Sequence, residues 1–170
     1  PQIACGLQSG DVSADSAVVW ARANRPARMQ VAFSTVESFK TIFHAMSIDA
    51  LPDDDFTAKL LIEALPAGQD IFYRGQFHDL QEPAISGETQ AGHFRTAPVD
   101  RRSVSFVWSG DTAGQGWGID PSRGGMRTYK TMLDNRPDFF IHSGDSIYAD
   151  CPIERELKLS DGGIWRNVVT

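Results

Sequence analysis

Hydrophobic and polar positions alternate with a period of two in several short runs of the first 98 residues. Val18 and Trp20 alternate with Val19 and Ala21, and Met29, Val31 and Phe33 with Gln30, Ala32 and Ser34. Leu60 and Ile62 alternate with Lys59, Leu61 and Glu63. Ile71, Tyr73, Gly75 and Phe77 alternate with Phe72, Arg74, Gln76 and His78. A period of two makes a strand with one buried face. Turn-forming stretches separate the runs: Ser9-Gly10-Asp11, Asn24-Arg25-Pro26, Pro52-Asp53-Asp54-Asp55 and Pro66-Ala67-Gly68. Short strands at such spacing predict an all-β sandwich.

The pattern changes near Pro98-Val99-Asp100. Ser103 to Trp108 reads as a nearly continuous apolar strand, followed at once by Ser109-Gly110-Asp111. A helix is predicted over 122–134, where Met126, Tyr129, Met132 and Leu133 recur at helical spacing, and Arg136-Pro137 ends it. Phe139-Phe140-Ile141-His142 forms a second apolar strand, again followed by Ser143-Gly144-Asp145. Strand, helix and strand of this length form a βαβ unit with parallel strands. The expected organisation is a sandwich over 1–98 and the beginning of an α/β domain over 99–170.

Composition narrows the function classes. The chain has 170 residues, 41% hydrophobic and 22% charged, ordinary values for a globular protein. Its net charge of −6 argues against general nucleic-acid binding, because such a surface repels phosphate backbones. No run approaches the roughly 18 apolar residues of a membrane span. Residues 1–98 hold 7 basic and 12 acidic residues, so the first part carries five of the six excess negative charges. Cys5 and Cys151 form neither a disulfide framework nor a zinc spacing. No signal peptide stands at the start of the chain.

The candidate chemistry lies in the repeated Ser-Gly-Asp. Ligands of α/β units bind at the carboxyl ends of parallel strands, and Asp111 and Asp145 each follow such an end by one glycine. Neighbouring strands are ~4.8 Å apart, so the two carboxylates can converge. A di- or trivalent cation would remove their repulsion. Tyr148, three residues after Asp145, adds a phenol suited to a trivalent ion such as ferric iron. Each aspartate alone also reads as a turn or helix-cap residue, and Tyr148 as a packing residue. His142 is expected to be a satisfied core histidine, and Asp150 and Cys151 are bland neighbours of the loop. The glycine-rich run 114–118 is neither a dinucleotide fingerprint nor a Walker A. Asp53-Asp54-Asp55 is expected to be a solvated turn, and His44, His78 and His93 have no ligand spacing.

Two resemblances sharpen these expectations. Leu65-Pro66-Ala67-Gly68 before the strand of Tyr73, with Trp20 on an early strand, resembles a fibronectin type III domain. That resemblance implies a tyrosine corner and core positions for both Trp20 and Tyr73. Gly110-Asp111-Thr112-Ala113-Gly114-Gln115, together with Pro137 to Tyr148 and its Gly-Asp-x-x-Tyr, resembles the PhoD-like alkaline phosphatase family. This family belongs to the calcineurin-like metallophosphoesterases and is related to the purple acid phosphatases. Gly6 to Val12 and Ala17-Val18-Val19-Trp20 are similar to the start of its N-terminal sandwich. The resemblance implies a phosphomonoester or phosphodiester hydrolase, exported, with a binuclear metal centre of iron and calcium, zinc or manganese being alternatives. It assigns Asp111 to the first metal, Asp145 to the bridge and Tyr148 to the more charged ion. No cysteine follows Asp111 closely, and the family's later Asn-His and His-rich motifs have no counterpart here. The chain is therefore expected to hold half a site, with the remaining ligands beyond residue 170. The rival expectation is a fibronectin-like binding module with a non-catalytic α/β appendage.

Overall fold

The computed structural model describes residues 1–112, 124–148 and 154–167. Contacts divide the chain into two compact units, Pro1–Arg102 and Ser103–Thr170.

The first unit is a sandwich of two antiparallel sheets. β1 (Gln8–Gly10), β2 (Ala17–Arg22) and β5 (Thr57–Ile62) form a three-stranded sheet in the order β1-β2-β5. β3 (Ala27–Ser34), β4 (His44–Ala50), β6 (Asp70–His78) and β7 (Gln90–Arg95) form a four-stranded one, ordered β4-β3-β6-β7. Met29, Val31 and Phe33 of β3, Leu60 and Ile62 of β5, and Ile71, Tyr73 and Phe77 of β6 all face one core. Each fully buried side chain of this size contributes about 1.5–3 kcal/mol. The alternation seen in the sequence is therefore the sandwich's inward face, and a three-on-four arrangement is the one expected of a fibronectin type III-like fold.

Two details depart from that expectation. The residues that β2 buries are Ala17, Val19 and Ala21, whereas Trp20 is half-buried on the opposite face, in register with Gln8 and Lys59. A period of two fixes that one set faces inward, and here it is the set Ala17, Val19 and Ala21. Tyr73 is buried as expected, but among the described residues no hydrogen bond from its hydroxyl pins the 65–68 turn. Thr96 does that work. Fully buried, it donates its hydroxyl to the Pro66 carbonyl at 2.7 Å and accepts the Gln69 amide at 3.0 Å. The Tyr73 ring lies against Gly92, where an added Cβ would come within 2.5 Å of the hydroxyl oxygen. The acidic run 53–55 ends a short 3-10 turn, and Asp55 pairs with Arg22 at 2.8 Å.

The second unit contains β8 (Phe106–Ser109), α1 (Arg127–Asp134) and β9 (Phe139–His142), followed by a hairpin of β10 (Glu156–Lys158) and β11 (Ile164–Arg166). β8 and β9 are parallel neighbours, in register from Phe106↔Phe139 to Ser109↔His142. β8 starts three residues later than the apolar run suggested. Ser105 is still tied to Asp138, its amide donating to the Asp138 carboxylate at 2.9 Å and its carbonyl accepting the Asp138 amide at 2.7 Å. The helix is shorter than the predicted 122–134. Gly124 and Gly125 have φ of 88° and 59°, a left-handed backbone that cannot belong to a right-handed helix. Among the described residues, no helix is long and apolar enough to cross a membrane.

Candidate functional site

The register places the two Ser-Gly-Asp segments side by side. Ser109 and His142 are the paired last residues of their strands, and the ladder runs one step further, with the Ser143 amide donating to the Ser109 carbonyl at 3.0 Å. Trp108 clamps the same exit, its indole N–H donating to Ser143 Oγ at 2.6 Å. Beyond this point the loops touch. A Cβ on Gly144 would lie 1.9 Å from Asp111 Oδ1 and 2.5 Å from the Asp111 backbone nitrogen. Gly110 is under no such constraint, since its nearest neighbour, the Ser143 carbonyl oxygen, would lie 3.7 Å from an added Cβ.

Both oxygens of Asp111 are engaged. Oδ1 accepts the Asp145 amide at 3.0 Å, and Oδ2 accepts the Tyr148 phenol at 2.6 Å. The Tyr148 hydrogen bond, then the Asp145 amide, hold the Asp111 carboxyl below the usual carboxylate range, and His142 adds a smaller electrostatic pull. Partial desolvation opposes them. The structure thus brings the side chains of Asp111 and Tyr148 together, while Asp145 joins them through its main chain. The Asp145 side chain is exposed. Among the described residues, no three His, Cys, Asp or Glu side chains are grouped closely enough to hold a metal. Asp150, Cys151 and the glycine-rich run 114–118 lie outside the described residues, and Cys5 is an exposed thiol.

A hydroxyl network adjoins this pair. Thr112 donates its amide to the Asp145 carbonyl at 2.6 Å. Its Oγ1 lies 2.5 Å from the Tyr129 hydroxyl of α1 and 2.9 Å from His142 Nε2. His142 is half-buried and aimed at Thr112, so it is not a core histidine. It ends β9, where the sheet gives way to the loops that carry the aspartates. Sequence reasoning counted Tyr129 among the apolar repeat of the helix and left Thr112 without a role. A hydroxyl directly after a candidate aspartate was the available signal. The other histidines serve the sandwich: His78 Nδ1 meets the Pro83 carbonyl at 2.9 Å, and His93 stacks on Phe72.

The residues fit a hard cation in one respect that the geometry makes concrete. A carboxylate oxygen and a phenol oxygen, both hard donors, face each other at 2.6 Å across a single proton. A metal ion held by such a pair would take the place of that proton, because ligating groups bind in their deprotonated form.

Comparisons with known proteins assign both parts of the chain to one family. The family model of the PhoD-like phosphatase N-terminal domain matches residues 1–98, and that of the PhoD-like phosphatase matches residues 106–170. A solved structure titled "Structure of PhoD" superposes with a TM-score of 0.67 at 20% identity, over 84% of this chain and 27% of that one. The chain thus spans about a quarter of that protein's length. A redesigned β-sandwich protein overlaps with a TM-score of 0.44 at 13% identity, over 59% of this chain and 98% of its own. A human fibronectin type III domain overlaps at 0.40 and 12%, over 57% and 74%. No curated protein matches the chain. With the two models together covering nearly its whole length, the chain belongs to the PhoD-like phosphatase family.

Proposed function

We propose that this chain is part of an exported, metal-dependent phosphate-ester hydrolase acting on phosphomonoesters or phosphodiesters. Asp111, Asp145 and Tyr148 supply its share of a binuclear centre of iron with calcium, or of zinc or manganese. The observation that carries the reading is the Tyr148 phenol on Asp111 Oδ2, in a loop pair that Gly144 keeps close.

The residues divide the work. Asp111 and Tyr148 would hold one hard-oxygen position, and Asp145, whose amide donates to Asp111 and whose side chain is exposed, would add its carboxylate. When bound, the metals supply Lewis-acid polarisation of a phosphoryl oxygen and activation of water for in-line attack. The Asp145 N–H and Tyr148 O–H fix the Asp111 carboxylate before any ligand arrives, which lowers the ordering cost of binding. The remaining ligands belong to other parts of a longer protein.

Elemental analysis after loading with iron, calcium, manganese or zinc tests the assignment. Retained metal that falls sharply in Asp111→Asn, Tyr148→Phe and Asp145→Ala supports it. Equal metal content in wild type and all three variants overturns it and favours a binding module without a metal centre. Hydrolysis of an aryl phosphate by the longer protein, lost in the same variants, tests the activity.

A further inference from the structure

We propose that Thr112 and Tyr129, with His142, are the positioning residues of this site. Through one shared hydroxyl they hold the Asp111 loop in the place where it meets Asp145 and Tyr148. The inference rests on the metal-site reading above but concerns residues that reading leaves without a role.

Three elements meet at Thr112 Oγ1. Thr112 directly follows Asp111 and carries the 2.6 Å amide contact to the Asp145 carbonyl, so any displacement of Thr112 displaces both aspartates. Its hydroxyl reaches α1 through Tyr129 at 2.5 Å and the end of β9 through His142 at 2.9 Å. The proton count closes. Either Tyr129 donates to Thr112 and Thr112 donates to His142 Nε2, or His142 donates to Thr112 and Thr112 donates to Tyr129. In each case one hydroxyl gives one proton and accepts one.

The Tyr129 hydroxyl is one of the ties between α1 and the strand ends. Among the described residues no side chain caps the helix N-terminus, and none of its residues is buried. The Tyr129 ring makes an edge contact with Phe140 of β9 at 5.8 Å between centroids. Removing only the hydroxyl keeps that ring contact and frees the Asp111 loop from the helix. Tyr129→Phe therefore separates positioning from packing.

Outer partners that orient ligating groups are worth about 10- to 100-fold in metal affinity. The chain is titrated with ferric iron, and the visible phenolate-to-iron band that Tyr148 would give is followed. Hydrogen exchange of the Asp145 amide is measured on the metal-free chain. Thr112→Val and Tyr129→Phe are expected to weaken iron binding about 10-fold or more and to speed exchange of that amide, with Thr112→Ser restoring both. If both variants bind iron and exchange as wild type does, the positioning role is overturned while the metal reading stands. If wild type gives no band, the assignment of Tyr148 to iron falls. Unchanged exchange in the variants then overturns the positioning role, and faster exchange, with Ser rescue, upholds it.

Discussion

Gly144 and Asp111 share a space that admits no side chain at position 144. An added Cβ would clash with Asp111 Oδ1 at 1.9 Å and crowd the Asp111 backbone nitrogen at 2.5 Å. Neither atom can yield cheaply, because Oδ1 holds the Asp145 amide and the backbone follows the β8 strand. The glycine is what allows two loops from adjacent parallel strands to touch.

Gly144→Ala is therefore expected to lower metal affinity by about 10-fold or more, as loss of an orienting contact does. Gly110→Ala, which meets only ordinary van der Waals contact at 3.7 Å, should leave metal content unchanged. Parallel metal titrations of the two variants check the contrast. Similar losses in both would show that the loops are not in close contact.

In the sandwich, Gly92→Ala forces a methyl group into the Tyr73 ring, at 2.5 Å from its Cζ and hydroxyl oxygen. Overpacking of this kind costs about 1–3 kcal/mol. Gly10→Ala, with nothing within 4 Å of the added Cβ, is the control. Thermal denaturation should show a lower midpoint for the first variant, and a smaller change or none for the second.

Thr96→Val removes the hydroxyl that ties Pro66 to Gln69 and takes one part-buried hydrogen bond from the Pro66 carbonyl and one from the Gln69 amide. Losing such a hydrogen bond costs about 0.5–1.5 kcal/mol. Thr96→Ser, which keeps the hydroxyl, should lose markedly less in urea unfolding. Equal losses would assign the effect to the methyl group's packing instead.

Asp79 links two loops of the sandwich. One oxygen accepts the Gln81 and Glu82 amides at 2.8 and 3.0 Å, and the other accepts the Arg25 guanidinium. The Glu82 amide, then Arg25, then the Gln81 amide hold its carboxyl at about 2. A depressed folded value means the stabilisation is present above the unfolded value of about 3.9 and is lost as pH falls through the folded one. Unfolding measured from pH 5 to about 2 should show a loss that Asp79→Asn reduces, since an amide does not titrate. An identical pH profile in the variant would remove Asp79 from the acid response.

The sequence by itself determined β2, β3, β5 and β6 of the sandwich and the exit points of β8 and β9, whereas β1, β4, β7 and the β10–β11 hairpin were not read from it. A period of two and a repeated Ser-Gly-Asp are local properties, written in consecutive residues such as Met29, Val31 and Phe33. The named pair Asp111 and Tyr148 was legible for the same reason, through motif and spacing. Three things were settled only in three dimensions. Trp20 lies off the core because alternation marks two faces without saying which one the opposing sheet covers. Thr96 rather than Tyr73 secures the Pro66 turn, because that bond joins residues 30 apart. The partner of each Asp111 oxygen follows from a parallel register between strands that are more than thirty residues apart in sequence. Long-range register depends on packing of the whole unit, and no short window of the sequence contains it.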